Sequence, residues 1–190
     1  MTGPQQTDPV FQLKVTLKNI EPPIWRQFLA PSGITLHRLH LILQEVMGWE
    51  NYHLYRFQIG RRDYGEPHPD NDFYELNFRN SKRAKLGRLV KTPGDSFSYE
   101  YDFGDSWIHQ LLLEDIVQAE TGRPYPVCLE GSRACPPEDC GGSWGYGELL
   151  EVIRNPAHEE YLDRLEWLGE GFDPEHFDIE QVNLRLARMR

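Results

Sequence analysis

Phe97-Ser-Tyr-Glu-Tyr-Asp-Phe-Gly-Asp-Ser-Trp-Ile-His-Gln-Leu-Leu-Leu113 is the stretch that decides the fold class. Phe97, Tyr99, Tyr101 and Phe103 alternate with other residues and share one face of a strand; Trp107, His109, Leu111 and Leu113 share a face of a second. Gly104-Asp105 turns the chain between them, so the two strands read as a hairpin.

Working upstream, Thr92-Pro93-Gly94-Asp95 punctuates the chain after a short helical turn over Lys85 to Val90, and residues 61–80 read as a polar loop rich in Gly, Pro, Asn and Asp. His53, Tyr55, Phe57 and Ile59 alternate along a strand that ends at Gly60. Leu36, Leu39, His40, Leu43, Val46 and Met47 recur at helical spacing, with Thr35 as N-cap and Gly48 as a left-handed stop. Phe11 to Leu17 and Ile24 to Leu29 are two further strands joined through Glu21-Pro22-Pro23, with Pro31-Ser32-Gly33 closing the second. The order strand, strand, helix, strand, strand, strand predicts an α+β fold with a helix packed on a mainly antiparallel sheet, a β-grasp-like arrangement being one option.

Downstream, residues 122–147 change to Pro, Gly and Cys with little periodicity and read as a long loop. Leu149, Leu150 and Ile153 end a helix. Asn155-Pro156 supplies the start of another that carries Tyr161, Leu162, Leu165 and Leu168 and stops at Gly169-Glu170-Gly171. Asp173-Pro174 repeats the starting signal for a last segment with Phe177, Val182 and Leu186. The expected organisation is a flexible tail over residues 1–8 and one domain over 9–190. Within it lie a core sheet at 10–118, a Cys-rich loop at 122–147 and packed helices at 145–188.

A length of 190 residues suits one domain, and a 12% aromatic share excludes a disordered chain. No apolar run approaches the roughly 20 residues of a membrane helix. The opening Met-Thr-Gly-Pro-Gln-Gln has no signal-peptide pattern, which leads to a cytoplasmic expectation. The net charge of −10 argues against a generally basic nucleic-acid binder, yet the charge is uneven. Residues 1–95 hold 13 basic and 10 acidic side chains, against 7 and 20 in residues 96–190. Arg79, Lys82, Arg83, Lys85, Arg88 and Lys91 form a run with no acid inside it, able to follow a phosphate backbone. The plainer reading of that run is a solvated loop and helix face.

Tyr99-Glu-Tyr-Asp-Phe-Gly-Asp-Ser-Trp-Ile-His109, Tyr125-Pro-Val-Cys128, Cys135-Pro-Pro-Glu-Asp-Cys-Gly-Gly142 and Trp144-Gly-Tyr146 stand out together. With Ile24-Trp-Arg26, His53-Leu-Tyr-Arg-Phe57 and Phe172-Asp-Pro174, they make the chain resemble the plasmid pRiA4b ORF-3-like family along nearly its whole length. The resemblance implies an α+β fold and a setting on bacterial chromosomes, plasmids or mobile elements; it carries no biochemical activity with it.

Three cysteines cannot all pair within one chain, so a disulfide framework is not expected. Cys128, Cys135 and Cys140, spaced C-x6-C-x4-C in a loop with little apolar packing, suit a structural zinc with His109 as fourth ligand. Buried thiols, an oxidisable pair, or His109 as a hydrogen-bonded core residue are the alternatives. His53 reads first as a sheet histidine and second as a substitute ligand, while His37, His40, His68, His158 and His176 join no constellation. Asp102-Phe103-Gly104 lacks every companion motif of a kinase and reads as a strand end and turn. No serine-nucleophile motif, phosphate-cradling loop or nucleotide fingerprint is present, so no nucleotide cofactor is expected.

Two functions follow. The first is a non-catalytic intracellular binding or accessory module, stapled by zinc, that engages a protein or nucleic acid. The second is a metal-dependent hydrolase or nuclease in which Asp102, Asp105, Glu138, Asp139 and His109 cluster to bind a divalent ion and activate water. Carboxylates converging on an open coordination site would favour the second.

Overall fold

The computed structural model describes residues 9–66, 78–169 and 171–189; the expected tail at 1–8 and the centre of the 61–80 loop lie outside them. The elements are β1 (Val10–Leu17), β2 (Trp25–Pro31), α1 (Leu36–Met47), β3 (Tyr55–Ile59), β4 (Arg62–Gly65), β5 (Arg79–Asn80), α2 (Leu86–Leu89), β6 (Ser96–Tyr101), β7 (Trp107–Val117), β8 (Val127–Ser132), α3 (Gly142–Ile153), α4 (Tyr161–Leu168) and α5 (Ile179–Arg188). One sheet runs β5-β4-β3-β6-β7-β1-β2-β8. Its pairs are antiparallel except β4 with β5, giving the α+β architecture expected.

The aromatic hairpin is β6 and β7, with Tyr99 opposite His109 and Tyr101 opposite Trp107. Its alternation places Phe97, Tyr99, Tyr101, Trp107, Leu111 and Leu113 in one buried cluster with Leu36, Leu39, Leu43 and Val46 of α1. Val182 and Leu186 of α5 and Tyr146 and Leu149 of α3 belong to the same cluster, whereas α4 has no fully buried residue and packs against it only through the half-buried Leu168. None of the described helices is long and apolar enough to cross a membrane.

Helix α1 has both expected ends. Thr35 Oγ1 accepts the Arg38 N–H at 3.1 Å, and Gly48 takes φ 101°, a left-handed value that glycine adopts without the Cβ penalty. Thr35→Ala is expected to cost about 1 kcal/mol, read as a lower urea midpoint at unchanged m-value. The C-terminal turn holds no basic residue of its own; cations arrive from elsewhere in the chain. Arg26 donates to the Val46 carbonyl at 2.8 Å and Arg185 to the Glu45 carbonyl at 3.0 Å. They satisfy orphan acceptors and complement the helix dipole.

Several expectations need correction. The 61–80 loop contains β4 and β5, and the 122–147 loop contains β8 and the start of α3. β4 and β5 span four and two residues, too few for alternation to declare itself, and β8, Val-Cys-Leu-Glu-Gly-Ser, does not alternate; they form because a neighbouring ladder pairs them: β8 on β2, β4 on β3, β5 on β4. Asn155 and Asp173 do not begin helices. Their side chains close short turns, accepting the Ala157 and Glu175 N–H groups at 3.2 and 2.9 Å. The helices start later, at Tyr161 and, after the N-cap Asp178, at Ile179. His53 and Phe103 lie just outside the strands assigned to them, β3 and β6.

Candidate metal centre

Pairing of Tyr55 with Tyr101 sets the start of β3 beside the end of β6, so His53 and Asp102 meet at one end of the sheet. The Asp102 N–H donates to the Leu54 carbonyl at 2.9 Å, and Asp102 Oδ1 accepts from Gly104 N at 2.9 Å. A third segment, Pro136-Pro-Glu-Asp139, is brought to the same place by backbone contacts. The Trp49 indole N–H donates to the Pro136 carbonyl at 3.1 Å, and Asp105 Oδ2 accepts from Gly141 N at 3.0 Å. Gly142 packs so closely that a Cβ there would lie 2.4 Å from the Asp105 carbonyl oxygen, which only glycine permits.

Glu138 is held by one oxygen. Its Oε1 accepts the Glu50 N–H at 2.9 Å and the Tyr101 O–H at 3.1 Å. Burial, then the charge of Glu138, raises the Tyr101 pKa well above its ordinary value, so the phenol stays a donor. Glu138 Oε2 is left 3.7 Å from His53 Nε2, and Asp139 Oδ1 lies 3.3 Å from the same nitrogen. On the opposite side of the ring, His53 Nδ1 faces Asp102 Oδ1 at 3.7 Å. His53 Nε2 and Glu138 Oε2 are both buried atoms with no hydrogen-bond partner. Asp139 is exposed and forms the open rim.

The backbone around this cluster is unusual. Asn51, Asp102, Ser106 and Asp139 have φ of 60°, 56°, 52° and 56°, in the left-handed region that non-glycine residues seldom occupy. Such outliers concentrate at functional sites because the surrounding structure must hold them.

Among the described residues, His53, Asp102 and Asp139 form a group whose potential ligand atoms all lie within 4.8 Å of one another. Asp102, Glu138 and Asp139 are therefore brought together around His53. His109 lies in the core instead: its Nδ1–H donates to the Tyr99 carbonyl at 3.3 Å, burial lowers its pKa to about 4, and Nε2 has no partner. Asp105 is occupied with Gly141. The signal for His53 was present in the His53-Leu-Tyr-Arg-Phe57 motif, but alternation marks a strand face and does not say which residues meet at a sheet end.

The cysteines are outside that group. The Cys128 thiol donates to the Gln27 and Glu130 carbonyls at 3.5 and 3.6 Å. Burial pushes Cys128 up to about 11 and Cys140 up to about 12, and Cys135 higher still, so without a metal the thiols are protonated at neutral pH. Of the basic run, Arg79, Arg83, Lys85 and Arg88 line one open groove of about 470 Å³ together with Arg62. Lys82 pairs with Glu66, and Lys91 is not part of the lining.

An eight-stranded, mostly antiparallel α+β sheet with a histidine–carboxylate cluster at one end defines the class. The chain belongs to the plasmid pRiA4b ORF-3-like protein family, whose profile matches residues 9–181. It is 41% identical over 175 residues to the uncharacterized protein y4hQ of Sinorhizobium fredii, covering 92% of this chain and 89% of that one. It is also similar to the crystal structure of MM3350, a protein of unknown function from Methanosarcina mazei Go1. The TM-score is 0.82 at 39% identity, over 92% of this chain and 97% of the other.

Proposed function

We propose that the chain is a metal-dependent hydrolase that holds one divalent transition-metal ion with His53 Nε2, Glu138 Oε2 and Asp139. The carrying observation is the pair of buried, partnerless donor atoms, His53 Nε2 and Glu138 Oε2, facing one another beside Asp139. The distances from His53 Nε2 to Glu138 Oε2 and to Asp139 Oδ1, 3.7 and 3.3 Å, are close to the roughly 3.3–3.6 Å between donors about 2.0–2.2 Å from a tetrahedral zinc. Asp102 sits where a carboxylate orients the far nitrogen of a metal-bound imidazole. One imidazole with two carboxylates suits zinc or manganese, and three protein ligands leave a position for a water whose pKa the ion lowers.

Asp139 also lines a cleft of about 590 Å³ with Glu148, Glu151, Glu159, Glu160 and Trp167. Arg164 in that wall is paired with Glu160 at 3.2 Å, so the cleft is acidic. Such a wall favours a neutral or cationic ester or amide over a phosphodiester, which weakens the nuclease form of this reading.

Titration calorimetry of chelator-stripped protein with Zn²⁺ and Mn²⁺ should show one site. Asp102→Asn should weaken it about 10–100-fold, and His53→Gln or Glu138→Gln should abolish it. Metal-loaded protein should hydrolyse activated esters or amides, and His53→Gln should not. Failure of the parent protein to bind either ion would overturn the proposal, and so would binding without turnover. A second reading, structural zinc on Cys128, Cys135, Cys140 and His109, draws support from the buried, partnerless His109 Nε2. Elemental analysis separates the two: zinc lost with Cys135→Ser supports the cysteine site, and zinc lost with His53→Gln supports the hydrolase.

A further inference from the structure

The edge of the sheet formed by β4 and β5 carries a site that the metal centre does not use. Arg62 and Tyr64 share one face of β4, and Tyr64 is in register with Arg79 of β5. Arg83, Lys85, Arg88 and Leu89 enter from the turn and α2 that follow, closing an open groove of about 470 Å³. Five cations thus line one surface, one of them 17 positions before the basic run begins.

These cations are solvent-exposed, and none of the five has an ion-pair partner among the described residues. Glu100 pairs with Arg56 and Glu66 with Lys82, and Asp63, which follows Arg62 in β4, lies on the opposite face of the strand from Arg62 and Tyr64. Five like charges in one groove repel one another, and a polyanion relieves that repulsion. Arginine forks suit phosphate oxygens particularly well.

The apolar part of the groove decides between partners. Tyr64 is 4% exposed and Leu89 is only half-buried, so the groove presents neither a ring for base stacking nor a pocket for a protein's aromatic anchor. Binding must then rest on backbone charge. We propose that this groove binds the phosphate backbone of nucleic acid without sequence preference. The acidic remainder of the chain confines the strand to this edge. Since no metal-centre residue lines the groove, binding should be independent of the hydrolase reading and persist in chelator.

Fluorescence anisotropy of a labelled oligo-dT strand, with the full chain in EDTA over a range of KCl, tests it. If all five cations engage, log affinity should fall against log salt with a slope of about −3.5, at about 0.7 per neutralised phosphate. Arg83→Gln with Arg88→Gln should flatten that slope by about 1.4 while leaving the thermal midpoint unchanged, since both side chains are exposed. Lys18→Gln with Arg154→Gln removes the same charge from exposed positions outside the groove and should leave the slope as it is. Absence of binding by the parent at low salt would overturn the proposal. An unchanged slope in the Arg83/Arg88 variant would do so too, as would polyglutamate displacing the strand at equal charge concentration, which would mark an acidic protein as the occupant.

Discussion

Arg26→Met is expected to lower the unfolding free energy by about 3–5 kcal/mol, a large part of the 5–15 kcal/mol that holds a typical domain together. Arg26 is 2% exposed, and all three of its guanidinium nitrogens donate to carbonyls. Nε donates to Val46, Nη1 to Trp25 and Ser132, and Nη2 to Arg133, each at 2.8 Å, while the Phe177 ring lies 4.1 Å from the guanidinium carbon. One side chain thereby joins the end of α1, strand β2, the end of β8 and the segment before α5. Methionine fills similar space but leaves those acceptors without donors, each an uncompensated desolvation of about 1–3 kcal/mol before relaxation. Arg26→Lys keeps the charge and loses the planar fork, so it should recover less than half of the loss. Urea unfolding at neutral pH reads both variants. A methionine variant within about 1 kcal/mol of the parent would show that the four carbonyls find other donors.

Acid should destabilise the fold well before most carboxylates titrate. His40 is stacked on Tyr55 at 3.6 Å between ring centroids and hydrogen-bonded on both sides. Tyr99 O–H accepts from Gln44 Nε2 at 3.0 Å, so it donates to His40 Nδ1 at 2.8 Å, and His40 Nε2–H donates to Asn51 Oδ1 at 2.7 Å. That arrangement holds the imidazole neutral. Burial lowers the His40 pKa to about 3 and the His109 pKa to about 4. In the unfolded chain both titrate near 6.5, so below that pH the unfolded state binds protons that the folded state refuses. Stability is therefore complete above about pH 6.5 and falls as the pH drops toward 4, by up to about 1.4 kcal/mol per pH unit for each histidine. At pH 4.5 the two together remove on the order of 5 kcal/mol. Urea midpoints in EDTA, which silences any metal at His53, should drop steeply between pH 7 and pH 4.5, and His109→Phe should flatten the slope by about one proton. Equal midpoints at the two pH values would mean that the imidazoles find water on protonation.

The carboxylates around His53 were legible because they sit in compact motifs, Asp102-Phe-Gly-Asp105 and Pro136-Pro-Glu-Asp139. Their histidine was not. His109 belongs to the same hairpin as Asp102, but it lies opposite Tyr99 in the strand interior, while His53 leaves the sheet beside Asp102. Adjacency in sequence pointed to His109; it is the β3–β6 register, set by pairing between segments 40 or more residues apart, that brings His53 to Asp102. The basic run shows the converse: four of its six residues do share a groove, and the strand partner Arg62 completes it.

What the sequence by itself determined is whatever a few adjacent residues can enforce: the β6–β7 hairpin through alternation, and α1 through spacing between Thr35 and Gly48. Period and capping act over one or two turns of chain, and their energies do not wait for tertiary contacts. Tertiary structure alone decided the strands β4, β5 and β8, the arginines that close the end of α1 from 20 and 140 positions away, and the Glu50 and Tyr101 donors that hold Glu138. Each of these depends on a polar group whose partner lies far along the chain. A buried donor or acceptor must be satisfied by whichever group the fold brings within about 3 Å, and no local pattern specifies which one that will be.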